Sequence, residues 1–132
     1  MPVNIVWDNS DKTIIRMEYT GSWTWEELYA ATAQSHVMLN EVEHKVDFVH
    51  YWVPGAHVPS NALVHSKNLI EKRHPKVNIV AIVGVNPLLK ATWVAFSKVY
   101  ATLTKRYTFI LASSLDEARV MLAEAHAKEL PR

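Results

Sequence analysis

Apolar and polar residues alternate in two short runs at the amino terminus. Residues 3–8 (VNIVWD) and 13–19 (TIIRMEY) are rich in β-branched and aromatic side chains, and from Ile15 onward the second run switches between apolar and charged positions. A period of two is typical of a strand with one buried and one exposed face. Because the polar residues 9–12 between the runs favour a turn, the pattern predicts a β-hairpin.

Capping-box signatures mark the starts of two predicted helices. Thr24 is followed three residues later by Glu27, and Ser114 is followed by Glu117 at the same spacing. In such a box the first side chain accepts a backbone N–H of the first turn, and the carboxylate reaches back to the cap. The first helix is predicted to run to about Glu41. Its larger side chains fall near one stripe at spacings of three and four: Trp25, Leu28, Tyr29, Thr32, His36 and Leu39.

Proline and polar residues predict two further helices. Pro59-Ser60 can cap a helix that reaches Arg73, and Asn86-Pro87 supplies an N-cap and a first-turn proline for the next one. Three more apolar runs predict strands: 46–53 (VDFVHYWV), 77–84 (VNIVAIVG) and 107–112 (YTFILA).

The predicted order of elements is ββαβαβαβα. Strand-helix-strand units of this length prefer right-handed crossovers between parallel strands, so the later strands should run parallel beside the amino-terminal hairpin. The run 77–84 is almost entirely apolar, which is typical of an interior strand covered on both faces. The predicted class is therefore α/β, with a single mixed five-stranded sheet flanked by four helices.

Composition suits one domain, spanning residues 1–132. Of the 132 residues 49 % are hydrophobic and 20 % are charged, enough apolar side chains for one core. The absence of cysteine excludes a disulfide scaffold, thiolate catalysis and cysteine-ligated metal centres. No run approaches the roughly 18 apolar residues of a membrane span, and the amino terminus lacks the pattern of a secretory signal. We therefore expect a cytoplasmic protein with no membrane span.

Charge is divided unevenly between the two halves of the chain. Residues 1–66 carry three Lys or Arg against eight Asp or Glu, whereas 67–132 carry eleven against five. From Lys72 to Leu115 there is no carboxylate. Such asymmetry can steer an anionic partner or attract a second copy of the chain, although a solvated cationic face explains it equally well. Nucleic acid is not an expected partner, because the cations are spaced apart and no nucleic-acid motif is present.

The loops after the parallel strands hold the candidate ligand-binding residues. Ligands of open α/β sheets bind at the carboxyl ends of the strands, where Trp52, His57, Ser60 and Asn86 should gather. Trp and His could stack on or hydrogen-bond an apolar or planar molecule, or simply close the core. Trp23, Trp25 and Trp93 are expected to be packing residues.

Other kinds of chemistry find little support. The seven histidines show no H-x-x-x-H or H-E-x-x-H spacing, so no metal site is predicted. Glu26-Glu27 fall in a first helical turn, where negative charge is stabilising in itself. There is no Gly-rich phosphate loop and no nucleophile elbow, so no cofactor and no catalytic residue are predicted.

The order of elements, together with the segments 23–28 (WTWEEL), 46–52 (VDFVHYW) and 114–118 (SLDEA), resembles the STAS-like family of anti-sigma-factor antagonists. The resemblance implies a small regulatory domain without chemistry of its own. It also implies a phosphorylatable Ser in the loop after the third strand, a position that Ser60 matches. The segment 51–55 (YWVPG) departs from the acidic signature of that loop. A plain N-cap uses the same Ser60 hydroxyl.

The leading interpretation is a non-enzymatic regulatory domain that binds another protein or a second copy of itself as a homodimer. The amino-terminal hairpin edge offers a surface for such contact. The alternative is a small-molecule or lipid-sensing domain that binds an apolar or planar ligand at the carboxyl ends of the strands. Enzymatic activity is the third hypothesis.

Overall fold

The strands of the sheet lie side by side in their order along the chain. A computed structural model describes residues 2–84, 87–105 and 107–129. The strands are β1 (Val3–Trp7), β2 (Ile14–Tyr19), β3 (Val46–Trp52), β4 (Val77–Val83) and β5 (Phe109–Ala112). β1 and β2 are antiparallel, and β3, β4 and β5 each run parallel to the preceding strand. The predicted mixed five-stranded sheet is confirmed.

Helices connect the parallel strands. They are α1 (Trp25–Asn40), α2 (Ala62–Glu71), α3 (Pro87–Val99), the single turn α4 (Ala101–Thr104) and α5 (Leu115–Glu129). The four longer helices follow the predicted order, and α4 is an additional turn directly after α3. Pro87 begins α3 as predicted, whereas its predicted N-cap, Asn86, lies outside the described residues.

The two capping boxes form to different extents. At α1 the Thr24 hydroxyl accepts the Glu27 N–H at 3.2 Å, and the Glu27 carboxylate accepts the Thr24 N–H at 3.0 Å, so the box is complete. At α5 the Ser114 hydroxyl accepts the Glu117 N–H at 3.1 Å. The Glu117 carboxylate, however, accepts from the hydroxyl of Ser113 at 2.8 Å. Both signatures locate a helix start, but only the first is a complete box.

The predicted boundaries of α2 are wrong. The N-cap residue is Asn61, which has left-handed backbone angles and no side-chain capping bond, so Ser60 is not the cap. The Ser60 carbonyl instead accepts the indole N–H of Trp25 at 2.6 Å. This long-range bond joins the loop before α2 to the first residue of α1. At the other end α2 stops at Glu71 instead of reaching Arg73.

Each face of the sheet has its own core. On one face Val49, Ile79, Ala81 and Val83 pack with the inner side of α5. On the other face alternate residues of β2 and β3 pack with α1: Ile15, Met17, Tyr19, Phe48, Leu28 and Leu39. β4 lies between β3 and β5, and its residues 79–83 are all buried, as predicted for a strand covered on both faces.

The turns after β3 and β4 begin next to each other. A Cβ atom placed on Gly84 would lie 2.2 Å from the carbonyl oxygen of Trp52. Gly84 also has a positive φ of 82°, a conformation that glycine adopts without a steric penalty. The close approach places the ends of the two strands on a common rim, as the topology predicts.

Candidate functional site

A cavity of about 190 Å³ lies between the sheet and helices α1, α2 and α3. Its floor is the face of the sheet that also packs on α1, with six aromatic or long apolar side chains and one imidazole: Met17, Tyr19, Phe48, Trp52, Ile82, Phe109 and His50. The strand register explains this set, because Met17, His50 and Ile82 are aligned in one row across β2, β3 and β4. Side chains two residues apart along each strand then share that face.

Helix α2 covers the cavity instead of packing tightly on the sheet. None of its residues is fully buried. Ala62, Ser66, Leu69 and Ile70 line the cavity, and their spacing of four, three and one places them on one helical face. The space between this face and the sheet is what the core side chains leave unfilled.

Four aromatic rings form one end of the cavity. Tyr19 stacks on Trp52 with ring centroids 4.4 Å apart and planes at 7°, and it lies 4.9 Å from Trp23. Trp25 meets Trp23 edge to face at 4.9 Å. The indole N–H groups of Trp23 and Trp52 are buried without a hydrogen-bond acceptor in the described part of the chain. Buried donors of this kind are uncommon in folded proteins and carry a cost in stability.

A hydrogen-bonded Tyr-His pair, with Tyr19 buried and His50 half-buried, lies at the same end. The hydroxyl of Tyr19 is 2.7 Å from Nδ1 of His50. Burial lowers the pKa of His50 from 6.5 to about 4 because desolvation disfavours the charged imidazolium. Burial also raises the pKa of Tyr19 above its usual value. Both groups are therefore neutral near pH 7.

Arg73 and His74 line the opposite end, and both side chains make hydrogen bonds to the backbone. The Arg73 guanidinium donates to the carbonyls of Val77 and Asn78 at 3.0 and 2.8 Å, and it stacks over Tyr107 at 3.8 Å. His74 accepts the Lys76 N–H on Nδ1 at 3.1 Å. Burial, followed by the nearby His36 and Lys76, lowers the pKa of His74.

A surface groove between α2 and α3 adjoins the cavity. Val58, Ala62 and Thr92 line both spaces. The rest of the groove is lined by small or apolar residues such as Leu63, Ala91 and Ala95. The cavity and the groove thus share part of their lining at the α2–α3 boundary.

The structure separates the residues predicted to bind a ligand. Trp52 lines the cavity. His57 and Ser60 are exposed and belong to neither the cavity nor the groove lining. His57 contributes its backbone, which donates to the carbonyl of Gly21 at 2.9 Å. Asn86 lies outside the described residues.

Other lining residues were predicted in a different role or not singled out. Trp23, Trp25 and Trp93, expected to be packing residues, also line the cavity. The α1 stripe was predicted as the core face of that helix, and several of its members face the cavity: Trp25, Leu28, Thr32 and His36. His50 was considered only as a metal ligand. The sequence feature that could have singled out His50 is its position in the run 46–52, because it is the polar residue on the apolar face of the strand.

The described residues place no three His, Asp or Glu side chains where they could hold a metal ion. In the same part of the chain, no helix has both the length and the apolar character needed to cross a bilayer.

Comparison with known proteins gives no family model, no curated protein and no solved structure that matches this chain. The resemblance to STAS-like domains therefore stays a prediction.

Proposed function

We propose that this protein is a non-enzymatic binding domain that takes a small, largely apolar molecule into the cavity beneath α2. The observation that carries the proposal is the cavity of about 190 Å³ on an aromatic face of the sheet. An engineered apolar cavity of about 150 Å³ stays dry and binds benzene. The present cavity thus suits a molecule of one substituted ring or a short aliphatic chain.

The apolar lining of the cavity supports the proposal. A ligand in this space would contact apolar side chains of the sheet and of α1, α2 and α3. Such contact is favourable because it removes apolar surface from water, at roughly 25 cal/mol per Å².

The two ends of the cavity support different kinds of contact. At the aromatic end, Tyr19, Trp23 and Trp52 offer ring faces for a planar or aliphatic group. At the other end, Arg73 is held by backbone carbonyls of β4 and is not free to follow a ligand. Binding energy would come mainly from apolar surface removed from water.

Thermal unfolding in the presence of propylbenzene tests the proposal. Ligand at 100 times its dissociation constant stabilises the folded state by about 2.7 kcal/mol, so the midpoint should rise by several degrees. Ser66→Phe, which fills the cavity from α2, should abolish this rise. Val120→Phe, on an exposed position of α5, is the control and should retain it. An unchanged midpoint for the wild-type protein would reject the cavity as a binding site.

Binding of a protein partner, the leading interpretation from the sequence, is the second candidate. It is favoured by the outer face of α3, where Ala91, Val94 and Ala95 are exposed between the exposed Lys90 and Lys98. Phosphorylation of Ser60 belongs to this candidate, and intact-mass measurement of protein from its native host tests it. A Ser60 that is never modified under any growth condition would remove the switch.

A further inference from the structure

His50 is a polar side chain within an apolar row of the sheet. Its row neighbours across β2 and β4 are Met17 and Ile82. The imidazole lines the cavity, and Nδ1 is engaged with Tyr19 at 2.7 Å. The other ring nitrogen, Nε2, makes no hydrogen bond to a described residue. A half-buried imidazole with one engaged and one unengaged nitrogen is equipped to bind a polar atom of a ligand.

The hydrogen bond to Tyr19 determines what Nε2 can offer. The phenol is the better donor of the pair and the unprotonated imidazole nitrogen is the better acceptor, so the Tyr19 hydroxyl donates to Nδ1 of His50. The other acceptor near this hydroxyl is the Met17 sulfur at 3.7 Å, which is weak. The neutral ring then carries its proton on Nε2. Nε2 is therefore a hydrogen-bond donor.

The scarcity of cationic side chains in the lining restricts the charge of the ligand. Among the described lining residues, Arg73 is the one Lys or Arg, and its guanidinium already donates to Val77 and Asn78. Asn78 precedes Ile82, the β4 partner of His50, by four residues, which corresponds to about 13 Å along a strand. A carboxylate placed at His50 would face a neutral imidazole, because desolvation disfavours the protonated ring, and burying it there would cost free energy.

From this geometry we infer that the cavity selects neutral molecules that carry a carbonyl oxygen, which accepts a hydrogen bond from Nε2 of His50. The inference rests on the proposed function and adds to it the class of ligand: an apolar ketone, aldehyde, ester or amide of about the size of a substituted benzene ring. Tyr19 acts as a positioning residue, because its hydroxyl holds the proton of the imidazole on the nitrogen that faces the ligand.

Two probes of the same shape test the inference: propylbenzene and propiophenone, which differ by a carbonyl group in place of a methylene. Dissociation constants of both are measured by calorimetry for the wild-type protein and for His50→Phe. Comparing the ratio of the two constants between the proteins cancels the difference in hydration of the probes. A net hydrogen bond of about 1 kcal/mol predicts that the preference for propiophenone is about fivefold greater in the wild type. His57→Phe, at an exposed position outside the cavity lining, should keep the wild-type ratio.

The outcomes separate the inference from the proposed function. If both probes bind and the ratio of their dissociation constants is the same in wild type and His50→Phe, the hydrogen bond from His50 to the carbonyl is rejected. The cavity is then still supported as a binding site. If neither probe binds the wild type, both are rejected. Nitrogen NMR of the histidine rings gives a second test that does not depend on the folding of His50→Phe. A proton on Nε2 whose resonance shifts with propiophenone is expected, and a proton on Nδ1 would overturn the inference.

Discussion

His50 links the stability of the protein to pH at the level of one side chain. Its pKa in the folded protein is about 4, below the ordinary value of 6.5, so the unfolded chain binds a proton first as the pH falls. The contribution of neutral His50 to the free energy of unfolding is therefore fully present above about pH 6.5, and it is lost as the pH falls from about 6.5 to 4. The loss attributable to His50 is about 3 kcal/mol at pH 4.

Urea unfolding at pH 7 and pH 4 measures this effect. Because carboxylates also titrate in this range, the comparison is with His50→Phe, whose free energy of unfolding should fall by about 3 kcal/mol less than that of the wild type. His57→Phe, which removes an exposed histidine, should behave like the wild type. If the free energy of unfolding falls equally in the wild type and in His50→Phe, the lowered pKa of His50 is contradicted.

Gly84 determines how closely the ends of β3 and β4 approach. In Gly84→Ala the new Cβ would lie 2.2 Å from the Trp52 carbonyl oxygen and would require a φ of +82°, so the backbone of the rim must shift. We expect a destabilisation of about 2–4 kcal/mol. Gly55→Ala is the matched control, since its φ is +90° but its Cβ meets nothing within 4 Å. Its cost should be about 1 kcal/mol, and equal urea midpoints for the two variants would show that the contact with Trp52 does not matter.

The candidate site was only partly predictable residue by residue. Trp52 could be found because it ends an apolar strand at the edge where α/β sheets bind ligands. The role of His50 depends on Tyr19, which is 31 positions away in sequence. His57 and Ser60 follow the same strand, yet the loop directs them to the surface. Sequence position placed these residues near the rim, and only the path of the loop decided which of them faces the cavity.

At the scale of elements, α1 and α2 each follow a hydroxyl residue that could cap the helix, but only the hydroxyl before α1 does so. Thr24→Ala removes the N-cap of α1 together with its bond to the Glu27 N–H, and should cost about 1 kcal/mol. Ser60→Ala removes a hydroxyl that caps nothing, because α2 begins after Asn61. Its effect should stay within about 0.5 kcal/mol. Urea unfolding of both variants checks the pair, and a cost for Ser60→Ala equal to that of Thr24→Ala would contradict the assigned N-cap.

Elements whose signals are local were predicted well. The capping box of α1 and the apolar run of β4 require only neighbouring residues to be read. The loop before α2 is joined to α1 by a bond between the indole of Trp25 and the carbonyl of Ser60, 35 residues apart. Contacts of this range leave no periodic pattern in the sequence.

At the scale of the whole molecule, the uneven charge predicts an effect of salt on association. Lys90 and Lys98 are exposed on α3, a helix without an acidic residue, whereas the carboxylates are concentrated in residues 1–66. If a second copy binds through these charges, the molar mass from light scattering should rise at about 10 mM salt and fall at about 500 mM, where screening is strong. The double variant Lys90→Glu, Lys98→Glu should lose the rise. A monomer at low salt and high concentration would refute self-association.

The sequence by itself determined the class of fold and the order of the elements. These follow from periodicity and capping signals, which operate over a few residues, and from the handedness of strand-helix-strand connections between consecutive elements. Only the tertiary structure decided that α2 covers an unfilled space and that Tyr19 and His50 meet within it. Packing determines such features, because a cavity exists only where side chains from distant segments fail to fill the volume between them.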